Sequence, residues 1–300
     1  MRYSLSLDHV AEGSGGGGIA KEILCQGITL PSLHIYAIEN VRISAVKARS
    51  LIFVIFAAIA AGQTPVVVVE LFTSEGCSSC PPADQVLSRL ETPRYGNAGR
   101  SKDVVMIAPG VEVIALGEHV DYWDQLGWKD RFSSPLFSAR QQDYGKAFHL
   151  ESVYTPQIVV NGGKEVLGSD TRAVQDAIRT AAKDPHAEVA ISMTSPEMVS
   201  FRVAKLPPGS HEADILLGVA ESGLMTPVLG GENSGRQLRH AGVVRSLTSV
   251  GRLDPKKPGE YTATAQLNLR ADWNRSNLKL VLFVQDRTTR RILGAASVKP

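Results

Sequence analysis

The sequence predicts an α/β domain over residues 65–184 followed by an all-β, sandwich-like domain over residues 186–300. Three observations carry that prediction. Between Pro65 and Pro185, apolar β-branched runs alternate with helical patterns. A Cys-x-x-Cys pair, Cys77-Ser78-Ser79-Cys80, sits where the first strand pattern gives way to the first helix pattern. After Pro185 helical periodicity stops, and short alternating runs recur between turn residues, as in an antiparallel sandwich.

Composition sets outer bounds. With 300 residues, 43% hydrophobic and 21% charged, the chain has an ordinary globular make-up and room for two domains. A net charge of +2, with no basic run carrying interleaved aromatics, argues against nucleic acid as a partner. Three cysteines do not make a disulfide-rich scaffold.

The elements follow in order. Residues 1–45 hold a glycine cluster and no sustained periodicity, so they read as an extension outside any packed domain. Residues 46–63 read as a signal peptide: Lys47 and Arg49, the apolar run Leu51 to Ala61, then small residues where cleavage falls near Ala61. The run is shorter than the roughly 20 apolar residues of a bilayer span, so no stable membrane span is expected after cleavage. The expected location is therefore periplasmic or extracellular, and translation is expected to start at Val41 or Val46. Val66 to Val69 form a buried strand. Pro81 and Pro82 fit only a first helical turn, and Val86, Leu87 and Leu90 continue that helix. Val104 to Met106 and Val111 to Leu116 give further strand, and Gly117 to Ser134 a polar, aromatic loop. A helix capped by Ser134 runs from Pro135 to Phe148. Asn161-Gly162-Gly163 turns the strand Gln157 to Val160 into Glu165 to Leu167. Ser169 or Asp170 caps a last helix ending near Lys183. Beyond Pro185 the strand runs are Glu188–Met193, Val199–Ala204, Ala213–Val219, Gly242–Leu247, Tyr261–Leu269, Leu278–Val284 and Ile292–Val298.

Chemistry centres on the two cysteines. Cys77 lies just ahead of a helix N-terminus, whose positive dipole end lowers a thiol pKa and makes it a nucleophile. Cys80 can then resolve a mixed disulfide formed at Cys77. A structural disulfide, half of a zinc site and two unrelated buried thiols are the competing readings. Zinc takes about four ligands, and the one other cysteine, Cys25, lies in the N-terminal extension. The cysteine loop, the segment His119 to Asp124 and Pro156 should meet at one sheet edge. There His119 and Asp121 are candidate proton acceptors for Cys80. With both thiolates, His119 is also a candidate ligand for a soft metal such as Cu(I). The favoured alternative is a lid, with Trp123 and Trp128 packed on the sheet end and His119 and Asp121 satisfying buried backbone. Glu70 is a candidate proton relay to Cys80, or a partner for Lys129 or Arg131. Glu75 reads as solvated, Arg236, Arg239 and His240 as a solvated face or, alternatively, a site for an acidic partner, and Gly230 to Arg236 as a long surface loop bordering the cysteines.

The phrases VELFTSEGCSSCPPAD, HVDYWDQLGWKDRFSSP, VYTPQIVVNG and GENSGRQLRH resemble secreted bacterial thioredoxin-like proteins catalogued as a domain of unknown function. The resemblance runs from Val66 to the C-terminus. It implies a thioredoxin-like α/β fold over 65–184 and a cis Pro156 facing the cysteines. It also implies a substrate groove bordered by Thr155 and Trp123. The expected function is cofactor-free thiol–disulfide exchange with protein thiols or disulfides. The alternative is a soft-metal (copper) carrier, or a partner-binding module with a structural disulfide.

Overall fold

The computed structural model describes residues 64–91, 110–257 and 259–300. The expectations for residues 1–63 and for Val104 to Met106 lie outside them. The N-terminal half runs β1 (Val66–Thr73), α1 (Pro81–Glu91), β2 (Glu112–His119), α2 (Pro135–Ala147), β3 (Gln157–Val160), β4 (Lys164–Leu167) and α3 (Thr171–Ala181). The rest is strand: β5 (Glu188–Ser195), β6 (Met198–Ala204), β7 (Ala213–Glu221), β8 (Leu224–Pro227), β9 (Gln237–His240), β10 (Val243–Leu253), β11 (Tyr261–Gln266), β12 (Leu278–Asp286) and β13 (Ile292–Val298).

β1 is central because both of its faces are buried. Val67, Val69 and Leu71 pack with Ala83, Val86, Leu87 and Leu90 of α1 and with Val174 and Ile178 of α3. Side chains alternate across a strand. Val68 therefore joins Phe137 of α2 and Phe283 of β12, and Phe72 joins Tyr144 of α2. Ser134 caps α2, its Oγ accepting the Leu136 N–H at 3.2 Å. Asp170 rather than Ser169 caps α3, its Oδ1 accepting the Ala173 N–H at 3.0 Å.

The expected architecture, a thioredoxin-like α/β domain followed by a sandwich-like all-β domain, is corrected. Of the described residues 41% are strand and 19% helix. One mixed eight-stranded sheet runs β13-β12-β7-β10-β2-β1-β3-β4, joining strands from both halves of the chain. The join is at β2. Its outer edge takes β10 in parallel at Gly117 and Val243, and the Gly117 N–H donates to the Gly242 carbonyl at 2.7 Å. Only glycine fits position 242, where φ is +62° and an added Cβ would lie 2.4 Å from the Ala115 carbonyl oxygen. The three-stranded sheet β11-β6-β5 covers the far part of the large sheet, with Phe201, Ile215, Leu217, Leu280 and Leu282 in the core between them. The short hairpin β8-β9 lies against α1. Local patterning finds strands, but it does not say which edges pair.

Candidate functional site: the cysteine loop and its strap

β1 delivers the chain into a short loop that ends at α1. The Cys80 carbonyl accepts the N–H groups of Ala83 at 2.9 Å and Asp84 at 3.1 Å. Pro81 and Pro82, which have no N–H to satisfy, occupy the start of the helix. Cys77 and Cys80 form a disulfide with a Cα separation of 5.4 Å. Both residues are fully buried, whereas Ser78 and Ser79 between them are exposed. Thiol exchange requires an accessible Cys77, so this burial needs a structural cause.

Part of that cause is the loop after β2. The Thr155–Pro156 peptide is cis. The Trp123 indole donates to Thr155 Oγ1 at 2.9 Å, leaving the Thr155 hydroxyl to donate to Cys77 Sγ at 3.4 Å. Ser79 Oγ lies 3.3 Å from the same sulfur. A disulfide sulfur carries no proton, so that hydroxyl is also the donor. The Thr155 proton is thus directed at Cys77 Sγ, while the Ser79 hydroxyl shares its one proton between that sulfur and the Thr155 carbonyl 3.5 Å away.

The other cause comes from the far end of the chain. The segment Gly230 to Arg236, with a 3-10 turn at Gly231–Asn233, straps the cysteine loop. Asn233 is fully buried, and its Nδ2 donates to the carbonyls of Glu75 and Cys77, both at 2.9 Å. Glu232 accepts the Ser78 N–H at 3.0 Å, and Arg236 donates to Asn233 Oδ1 at 3.0 Å. The strap in turn rests on the loop after β2, since a Cβ at Gly231 would lie 3.0 Å from Trp128 Cβ.

A buried polar cluster adjoins the same loop. Glu75 is buried rather than solvated: its Oε2 accepts the Trp128 indole N–H at 2.9 Å, and its Oε1 lies 3.2 Å from His240 Nε2. His240 is buried as well, with its ring 5.0 Å from that of His119. His119 Nδ1 pairs with Asp130 Oδ2 at 2.6 Å, and that oxygen also accepts the Glu75 N–H at 2.8 Å. Burial opposes ionisation of Asp130, but His119 and the N–H donors of Glu75 and Phe132 outweigh it and hold the carboxyl below its ordinary range. Asp84 accepts from Thr73 Oγ1 at 3.1 Å. Burial pushes Asp84 up to about 7; His240 and Thr73 oppose the rise, and Asp130 and Glu75 add to it.

The remaining sequence candidates fall elsewhere. Asp121 is bound by Ser138, whose Oγ accepts the Asp121 N–H at 3.0 Å and donates to its carboxylate. Glu70 faces neither Lys129 nor Arg131. Its carboxylate is held by Arg140 at 2.5 Å and by the Tyr144 hydroxyl at 2.5 Å, in a buried cluster with Gln285. Glu118 stands in that cluster with its Oε1 3.4 Å from Arg140 Nε; burial and then the Glu70 charge raise its pKa well above the ordinary value, against the opposing Arg140 charge. His119 is committed to Asp130. Among the described residues no group of three or more His, Cys, Asp or Glu side chains is arranged to hold a metal ion. No described helix is long and apolar enough to cross a membrane. A cleft of about 780 Å³ between α3, the β3-β4 hairpin and Pro207 to His211 includes no residue of the cysteine loop. Sequence reasoning missed Asn233, Asp84, Asp130 and the burial of Glu75 and His240. The available signal was the density of polar residues in GGENSGR beside no amphipathic element.

Among solved structures, protein AGR_C_4864 from Agrobacterium tumefaciens is similar with a TM-score of 0.59 and 26% identity, over 79% of this chain and 96% of that one. HBP35 of Porphyromonas gingivalis matches with a TM-score of 0.54 and 16% identity, over 79% of this chain and 76% of its own, a likeness of fold. A search of curated proteins finds no match. The fold shared with these structures is the strand-rich one described above rather than a thioredoxin-like α/β domain. Residues 68–285, which include both the cysteine loop and the strap, match the family described as protein of unknown function (DUF1223), and the chain belongs to that family.

Proposed function

We propose that the protein is an exported thiol–disulfide oxidoreductase that exchanges the Cys77–Cys80 disulfide with cysteines of partner proteins. The observation that carries this reading is the Thr155 hydroxyl donating to Cys77 Sγ at 3.4 Å, with the Ser79 hydroxyl 3.3 Å from the same sulfur, on a cysteine that precedes a helix N-terminus. Such donors favour a thiolate over a thiol, which suits Cys77 to be attacked and released as an anion. A partner thiolate attacks Cys77 Sγ, the Cys77–Cys80 bond breaks, and its electron pair leaves on Cys80, which takes up a proton. A second partner thiolate then attacks the partner sulfur of the mixed disulfide. It releases Cys77 as a thiolate and leaves the partner with a disulfide. The reverse sequence reduces a partner.

Complete burial of both cysteines supports a second reading, a structural disulfide in a partner-binding module. The reduction potential separates the two. A value between roughly −270 and −120 mV, measured by thiol trapping in glutathione or dithiothreitol buffers, supports exchange. A value below about −300 mV refutes it in favour of the structural role. An exported location rests on the signal-peptide pattern of Lys47 to Ala61, and N-terminal sequencing of the secreted chain tests it.

A further inference from the structure

Building on the exchange reading, we infer that Asn233 is a positioning residue of the cysteine site, and that its strap must lift before a partner thiol can reach Cys77 Sγ. Cys77 and Cys80 have no exposed surface, yet Ser78 and Ser79 between them do. What closes the loop is therefore local. The strap makes three hydrogen bonds to the cysteine loop, two from Asn233 and one to Glu232, across 154 to 158 residues of sequence. All three are to main chain: the carbonyls of Glu75 and Cys77 and the N–H of Ser78. Lifting the strap leaves the Glu75 carbonyl and the Ser78 N–H unpaired and frees one acceptor position on the Cys77 carbonyl, which keeps the Cys80 N–H at 3.2 Å. Unpaired main-chain groups of that kind are satisfied by an extended polypeptide. The same groups that hold the strap down are thus the ones a cysteine-bearing partner segment can take over, so engagement of the partner and exposure of Cys77 are one event.

The strap suits this use. Its outer contact, Glu232 to Ser78, is exposed, and Ser234, Gly235 and Arg236 are exposed as well. Only Asn233 is buried. Local opening of such a segment precedes reaction whenever opening and closing are fast compared with chemistry, and the observed rate then scales with the open fraction.

The test is the rate at which dithiothreitol reduces the disulfide of the full-length protein, followed by thiol trapping at fixed pH. Removing both Asn233 bonds in Asn233→Ala should raise the rate by about tenfold or more, and Glu232→Ala by about threefold. Asn233→Ser, which keeps one hydroxyl donor, should fall between Asn233→Ala and the parent. Val199→Ala, in the core between the two large sheets and away from the strap, controls for general destabilisation and should leave the rate unchanged. Equal rates in the parent, Asn233→Ala and Glu232→Ala overturn the inference, as does acceleration of the same size in Val199→Ala. If Asn233→Ala does not fold, Glu232→Ala against Val199→Ala decides alone. A potential in the structural range would defeat the exchange reading while leaving this rate comparison valid. A catalytic potential with unchanged rates would defeat the strap and spare the exchange reading.

Discussion

Replacing Thr155 by valine removes the hydroxyl 3.4 Å from Cys77 Sγ while keeping the shape of the side chain. In the reduced protein that hydroxyl faces a thiolate or a thiol. A hydrogen bond to a charged group contributes about 1.5–3 kcal/mol, and the length of this one places it at or just below the lower end. At 1.36 kcal/mol per unit, the Cys77 thiol of Thr155→Val should titrate about one unit higher than in the parent. Because the thiolate stabilises the reduced state, the potential should also fall by roughly 20–30 mV, given that 30 mV corresponds to about 1.4 kcal/mol for two electrons. The thiol pKa is read from the pH dependence of alkylation of the reduced protein, and the potential from glutathione equilibration. Trp123 loses its acceptor too, so a stability loss of about 1 kcal/mol should accompany the change. A Cys77 pKa unmoved or lowered, with the protein folded, would show that Thr155 does not act on the sulfur.

Asp84→Asn should be the more stable form at neutral pH. Its folded pKa of about 7 lies above the ordinary 3.8, so the native state holds a proton that the unfolded chain has lost between those values. Stability in the parent therefore falls as pH rises from about 4 to 7, and urea titrations should show the variant's advantage growing over that window to at most about 4 kcal/mol. Glu118 carries the same sign from the same first cause, burial, with the Glu70 charge adding to it. Glu118→Gln should flatten the loss of stability above the ordinary carboxyl range. Glu70→Gln, which takes the paired carboxylate from buried Arg140, should cost about 3–5 kcal/mol by denaturant titration. Gly242→Ala should cost at least 2 kcal/mol, because φ is +62° and the Ala115 carbonyl oxygen stands 2.4 Å from the new Cβ. A midpoint within error of the parent would show that the β2-β10 junction relaxes freely.

Much of the chain was legible because its signals are local. Ser134 before Pro135 announces a helix start, and Asn161-Gly162 announces a hairpin. The β-branched run at Val66 announces a buried strand. The cysteine pair announced itself by position. What escaped depends on contacts between residues far apart in sequence. Nothing around Glu75 distinguishes a solvated loop carboxylate from one enclosed by Trp128 and His240. Asn233 reads as one polar residue among several in a glycine-rich loop, and its importance comes from meeting the Cys77 carbonyl 156 residues away. β8 and β9 are four residues each, too short for their alternation to stand out. The architecture was misjudged for the same reason. Gly242 reads as the start of a strand run, and only the approach of the Ala115 carbonyl shows that it joins two halves into one sheet.

The β2-β10 junction also has a consequence for the order in which the chain is made. β1 and β2 leave the ribosome well before Val243 does, so the outer edge of β2 waits unpaired through more than a hundred residues of synthesis. An open strand edge is a template for pairing with another chain. The nascent protein therefore has to keep that edge shielded or unformed until its C-terminal half arrives. The cysteines can meet early, but the segment that encloses them cannot be in place until more than 150 further residues have been made.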